Sequence, residues 1–279
     1  MRNSNAFQSI RKQISIGALF KGLNAVALFF VVRLSLELVG SDTYGLWVTI
    51  LSTVTWCSFI EVGISSGIRN EITRLVEGGS AHLTRPIIGS AMTLELFIYL
   101  GLFIILAILY HFLPESIIAE SIMGPALIFA GIIFLGYVFS TINAIALANH
   151  KAEWPVILTF IQNAFGLLGR AIALQMGLNS LLQLGLIFSF SSLLAFVSGH
   201  FVLYTTHIRN QKPLFPSFEF TSIKPLYPFM LRFGAIQFFV LIIFASDHLI
   251  ILHFLDANSV TEYNIAFRYF NLLNVIFNL

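Results

Sequence analysis

The chain has little charge and almost no cysteine. Asp, Glu, Lys and Arg make up 10% of its 279 residues, where a water-soluble chain carries about 25%. So few charges cannot cover the surface of a soluble globule of this length, and a soluble fold is excluded. Cys57 is the single cysteine, which rules out a disulfide framework and leaves it as a small apolar filler. No Walker-type phosphate loop occurs, and His82, His111, His150, His200, His207, His248 and His253 show no H-x-x-x-H metal spacing. Asp247 and His248 are adjacent, so their side chains diverge on a helix. A net charge of +2 is too small to argue for nucleic acid.

Apolar residues dominate instead. They form 57% of the chain, with 29 Phe and a mean hydropathy of +0.88. Stretches free of Asp, Glu, Lys and Arg run for 18 residues between Asp42 and Glu61 and 19 between Glu95 and Glu115. Longer ones cover 30 residues between Glu120 and Lys151 and 38 between Arg170 and Arg209. A helical crossing of a bilayer needs about 20 apolar residues. The pattern predicts an all-α, polytopic transmembrane helical bundle with eight segments, near 14–39, 44–66, 86–112, 122–148, 155–176, 181–204, 229–253 and 263–279. The alternating ten-residue segments of a β-barrel are absent. Lys21 and Asn24 interrupt the first apolar stretch and no small-residue cleavage site follows, so it reads as an uncleaved helix.

The basic residues are one-sided. Arg2, Arg11, Lys12, Arg69, Arg74, Arg85, Lys151, Arg209, Lys212 and Lys224 fall in loops on the N-terminal side, while the loops opposite hold only acids: Asp42, Glu115, Glu120, Asp256 and Glu262. By the positive-inside rule the N-terminus is cytoplasmic. Pro213, Pro216, Pro225 and Pro228 punctuate the longest loop, which reads as a linker at 209–228 between a lobe at 1–208 and a second at 229–279. The last segment stops at Leu279 without a cap or flanking charge, and the expectation is a piece of a longer protein.

Charges inside the spans are costly, about 2.5–3.5 kcal/mol each at the bilayer centre. Arg232 lies close enough to a helix end to snorkel, and Lys21 is open to either reading. Thr159, Asn163, Gly166 and Arg170 share one helix face, as do Asn264, Arg268, Asn271 and Asn278. Ser58, Glu61 and Ser65 form a third stripe, and Gly136, Ser140 and Asn143 a fourth. Small and amide residues commonly glue membrane helices together, which is the plain reading. A guanidinium asks for more, water or an anion, so Arg170 and Arg268 point to an anion-receptive cavity. Arg33 and Glu37, four apart, are placed to pair. Lys21 and Arg33 are twelve apart, about 120° round a straight helix, and cannot face one cavity.

One stretch carries a family pattern. Tyr44-Gly45-Leu46-Trp47-Val48-Thr49-Ile50-Leu51-Ser52, followed by Phe59-Ile60-Glu61-Val62-Gly63-Ile64-Ser65-Ser66-Gly67-Ile68-Arg69-Asn70, resembles the second-helix signature of polysaccharide-unit flippases. These are the O-antigen translocases of the multidrug/oligosaccharidyl-lipid/polysaccharide (MOP) exporter superfamily. The family pattern has Asp at the position of Glu61 and Gly-Asn at that of Ser65-Ser66. The resemblance implies two six-helix lobes related by pseudo-symmetry, of which this chain holds the first and two helices of the next. Gly17 to Tyr44 and Gly234 to Tyr263, 27 and 29 residues apart, mark the two starts.

The resemblance further implies a bacterial inner-membrane transporter, not an enzyme. It would flip an undecaprenyl-pyrophosphate-linked oligosaccharide to the periplasmic leaflet by alternating access, with membrane lipids and polysaccharide assembly proteins as partners. Arg170 and Arg268, with Arg33 or Lys21, would meet the diphosphate, and Asn163, Asn264 and Asn271 the sugar hydroxyls. No cofactor or metal is expected beyond a coupling H+ or Na+, for which Glu61, Glu95 and Asp247 are candidates, or else mere counter-charges. The alternatives are a drug/cation antiporter of the same fold, a polytopic polysaccharide polymerase or ligase, and a structural or channel-like membrane protein. The antiporter would prefer an acidic cavity, and the enzyme needs a larger outer loop.

Overall fold

The computed structural model describes residues 2–112, 120–213 and 216–277; Glu115 and Asn278 lie outside them. The described chain is helical, with no strand among these residues. In order come α1 (Arg2–Thr55), α2 (Ser58–Glu77), α3 (Thr84–Phe112), α4 (Glu120–Ala148), α5 (Trp154–Gln175) and α6 (Leu181–Thr206). After the linker come a short α7 (Phe220–Ile223), then α8 (Tyr227–Ala245), α9 (Asp247–Phe254) and α10 (Ala257–Phe277).

α1 is two arms, not one rod. Gly40, at φ 76° and ψ 172°, leaves the helical region, a conformation that glycine reaches without Cβ strain. Leu28 before it and Leu51 after it line the same small cavity, although 23 residues of straight helix would hold them about 34 Å apart. The chain therefore doubles back at Gly40, and the expected loop at 40–43 shrinks to one residue.

Among the described residues six stretches are long and apolar enough to cross a membrane: Arg11–Thr55, Ala81–Phe112, Gly124–Ala148, Trp154–Gln175, Leu181–Thr206 and Phe220–Phe254. The first contains the fold at Gly40 and so covers two of the eight segments read from the sequence. The eighth, α10, is helical, but Asn258, Glu262, Asn264, Arg268 and Asn271 keep it out of that set. Large apolar side chains such as Leu19, Phe97, Phe201, Leu231, Phe239 and Ile243 are exposed, as expected where the solvent is lipid. This is a multi-pass membrane protein.

Two boundaries differ from the expectation. The segment read as 44–66 breaks at Trp56–Cys57 and resumes as α2 through Glu77. Thr49, Ser52, Thr53 and Thr55 turn their hydroxyls onto carbonyls three or four residues back, which competes with the helical ladder and bends it. The Trp56 and Cys57 backbone N–H groups then donate to the Thr53 and Val54 carbonyls, three residues back, in tighter turns. At the other end α10 starts at Ala257, six residues before the expected 263. Asp256 Oδ1 accepts the Ser259 backbone N–H at 2.7 Å and so caps the helix. Glu262, read as a loop residue, lies on that helix.

Other ends follow local chemistry. Pro155 and Pro228 stand in the first turns of α5 and α8, and Ser180 with Gln183 forms a capping box at α6. The core runs between α1, α4 and α6, where Trp47 meets Phe129 and Phe188 edge-on at 5.1 and 5.5 Å. Such pairs add about 0.5–1.5 kcal/mol beyond the area they bury.

Candidate functional site: two guanidiniums and a carboxyl pair

Arg170 sits inside the protein, 3% exposed. Its Nε donates to Ser35 Oγ at 2.7 Å and its Nη1 to the Gly166 carbonyl at 2.9 Å. The absence of a side chain at Gly166 makes room for the second bond, since a Cβ there would stand 2.8 Å from Arg170 Nη1. Both partners are neutral, and among the described residues no carboxylate pairs with it. The charge faces a cavity of about 60 Å³ lined also by Tyr44, Trp47, Asn163, Ser191 and Arg268. The stripe on α5 thus points inward at Asn163, Gly166 and Arg170. Thr159, its fourth member, is exposed and bonds to Pro155.

Arg268 enters the same cavity from α10 and also lines a second one of about 310 Å³. The second lies between α1 and α10, and Leu28, Phe29, Val32, Leu36 and Arg33 face it. No ion pair joins Arg33 to Glu37 among the described residues, contrary to expectation, because Arg33 turns to the α1–α10 cavity. Lys21 lines a third cavity of about 370 Å³ with Gln13, Gly17, Ala152 and Val156. Lys21 and Arg33 therefore serve different spaces, as the helical angle between them requires.

The amides divide. Asn163 Nδ2 donates to Asn24 Oδ1 at 3.1 Å, and Asn24 in turn donates to the Val156 carbonyl, so Asn163 lines the cavity while tying α5 to α1. Asn264 is 5% exposed and engaged on every side. Its Oδ1 accepts from Tyr44 at 3.2 Å and from Arg268 Nε at 2.8 Å, and its Nδ2 stands 3.1 Å from His248 Nε2. Asn264, for which the resemblance implies a sugar hydroxyl, here ties α10 to α1 and α9. Asn271 is half-buried on α10.

The three acids separate into two places. Glu95 on α3 is fully buried, with Thr141 Oγ1 donating to its Oε2 at 2.8 Å and Oε1 without a partner. Glu61 on α2 is its electrostatic neighbour and accepts a hydrogen bond from Ser65 at 2.7 Å. No basic side chain pairs with either acid among the described residues. Asp247 stands apart and takes a hydrogen bond from the Tyr263 hydroxyl, while His248 turns to Asn264, the divergence expected of adjacent helical residues. Ser35 and Ser191 went unread in the sequence, because a lone hydroxyl in an apolar run carries no periodic signal, and His248 was read only for its divergence from Asp247.

The site and fold together describe an all-α membrane bundle with charged side chains lining internal cavities. No protein-family model and no curated protein sequence matches the chain. A solved structure does: the inward-facing conformation of a multidrug resistance MATE family transporter of the MOP superfamily, with a TM-score of 0.62 and 13% identity. The match covers 92% of this chain and 60% of that one. At this identity the likeness establishes the fold, which is MATE/MOP-like, and the chain spans about 60% of the length of that transporter.

Proposed function

We propose that the chain is the N-terminal part of a membrane transporter that flips a lipid-linked oligosaccharide diphosphate, of the undecaprenyl-pyrophosphate class, by alternating access. The observation that carries this reading is that Arg170 and Arg268 line one cavity with no carboxylate on its wall among the described residues. Two unneutralised guanidiniums attract an anion and repel a cation, and each can fork two bonds onto phosphate oxygens. The apolar α1–α10 cavity, with Arg33 and Arg268 on its wall, suits the first isoprene units of the tail. A cytoplasmic N-terminus in a bacterial inner membrane belongs to the same reading, and the one-sided basic residues support that orientation.

The division at 209–228 into two lobes, six helices and then the start of the next, is part of the same reading. Two contacts cross that division, α1 against α10 and α2 against α8. The Glu61–Glu95 pair is the candidate for H+ or Na+ coupling, and Asp247, bonded to Tyr263, is a weaker one. Glu95→Gln should keep substrate binding and abolish ion-driven transport in proteoliposomes; unchanged ion dependence would remove the pair from the coupling role.

The deciding assay is restoration of surface polysaccharide by the complete gene in a strain lacking its flippase. Arg170→Ala should lose most activity with expression intact, Arg170→Lys should keep part of it, and Arg232→Ala, exposed on α8, should match wild type. Full restoration by Arg170→Ala would overturn the anion reading. A MATE-type drug antiporter is the second reading, favoured by the fold match and by the buried carboxyl pair. It expects export of cationic drugs that Arg170→Ala leaves intact and Glu95→Gln removes.

A further inference from the structure

His248 has no part in the reading above, yet it is 8% exposed and its Nδ1 is buried without a partner. Its Nε2 lies 3.1 Å from Asn264 Nδ2, and the far end of that amide fixes who donates. Arg268 Nε can only donate, and it meets Asn264 Oδ1 at 2.8 Å. The Tyr44 hydroxyl meets the same oxygen at 3.2 Å. The oxygen therefore faces Arg268 and Tyr44, the Nδ2 faces His248, and His248 Nε2 must accept. A neutral ring that accepts at Nε2 carries its proton on Nδ1.

We infer that His248 is a positioning residue for Arg268, acting through the Asn264 amide. While the ring is neutral, Asn264 keeps its oxygen on Arg268 Nε and holds the guanidinium at the wall between the two cavities. A proton on Nε2 sets an N–H against the Nδ2 hydrogens of Asn264. Turning the amide by half a revolution restores a bond to the ring, but then presents Nδ2 to Arg268 Nε, donor against donor. The Arg268 bond is lost, the Tyr44 hydroxyl must reverse to accept, and the guanidinium is free to move onto a ligand.

The charged and titratable groups facing the ring are few. Asp247 precedes it and turns to Tyr263, the Tyr263 ring lies 5.6 Å away centroid to centroid, and Arg268 and Tyr44 act through Asn264. Arg268 opposes a charge on the ring. An anion that neutralises Arg268 relieves this opposition, so anion binding and proton uptake reinforce each other, and linkage makes the effect reciprocal. The substrate class is taken from the function proposed above; the hydrogen-bond argument stands without it.

Two measurements on the full-length protein in nanodiscs test the inference. The first is the affinity for farnesyl diphosphate on either side of the ordinary histidine range, at about pH 8 and about pH 5.5. Wild type should bind about tenfold or more tightly at the lower pH. His248→Gln keeps an acceptor for Asn264 and cannot take up a proton, so it should retain only the small change due to titration of the diphosphate itself. His253→Gln, an exposed neighbour on the same helix, should behave as wild type. The second is 15N NMR of labelled histidine, with the His248 signal assigned by its loss in His248→Gln. It should show the Nδ1–H tautomer at pH 8, lost in Asn264→Leu. An Nε2–H tautomer at pH 8, or an unchanged pH ratio in His248→Gln, overturns the inference. Failure of farnesyl diphosphate to bind at either pH overturns the lipid-diphosphate reading instead, and the tautomer then decides the role of His248 alone.

Discussion

Where α2 meets α8, backbone lies on backbone; where α1 meets α10, hydroxyls and amides exchange hydrogen bonds. In the first contact Gly63 faces Gly234 and the Met230 carbonyl, and Gly67 faces Leu226. A Cβ at Gly63 would stand 2.7 Å from that carbonyl oxygen and 3.2 Å from the Gly234 Cα. The second contact is made by Ser41 Oγ donating to Asn258 Oδ1, Thr261 Oγ1 donating to the Ser41 carbonyl at 2.7 Å, and Tyr44 donating to Asn264. Close packing of small residues fails when any atom is added, whereas a polar contact can trade partners one bond at a time. The α1–α10 contact is also tight at one point, where a Cβ on Gly45 would stand 1.8 Å from the Ala257 carbonyl oxygen; around that point its polar bonds can be remade, and the α2–α8 contact has none among the described residues.

That contrast can be broken in two places. The largest effect belongs to Gly63→Leu. Overpacking costs about 1–3 kcal/mol even for modest insertions, and here the obstacle is backbone that cannot swing aside. The variant should lose most of its monodisperse peak in detergent chromatography, and a normal yield with a normal melting temperature would show that the α2–α8 contact yields after all. Thr261→Val sharpens the other side. It keeps the shape and deletes one bond, for a loss of about 0.6 kcal/mol on the average for side-chain bonds in membranes. Reversible unfolding in mixed detergent should register that small shift. A loss as large as that of Gly63→Leu would make the polar contact as rigid as the apolar one.

How much was legible beforehand differs between the same kinds of feature. Crossings read from uncharged runs are met by helices because lipid leaves the backbone no other partner. Arg170 and Arg268 stood out because a guanidinium in an apolar helix must be accounted for, and they share a cavity. The break at Trp56–Cys57 was missed because four hydroxyls in an apolar run raise no charge signal, although their spacing from Thr49 to Thr55 was there to be read. The early start of α10 was readable too, in Asp256 three residues before Ser259. The environment of Asn264 was not, since Tyr44 lies 220 residues away and His248 sits on another helix. Helical periodicity assigns a residue to a face, and only the packing of two faces names its partner.

The break at Trp56–Cys57 has a mechanical consequence. The arm before it, after Gly40, carries Ser41 and Tyr44 and is tied to α10, while α2 after it carries Gly63 and Gly67 and is tied to α8. Tyr99 on α3 donates a hydrogen bond to the Cys57 carbonyl at 3.2 Å, pinning the chain at the point where its helical ladder is interrupted. The two pieces thus meet at a hinge with a fixed pivot. A tilt of one piece is not forced rigidly on the other, so the contact at one end can part while its counterpart stays shut.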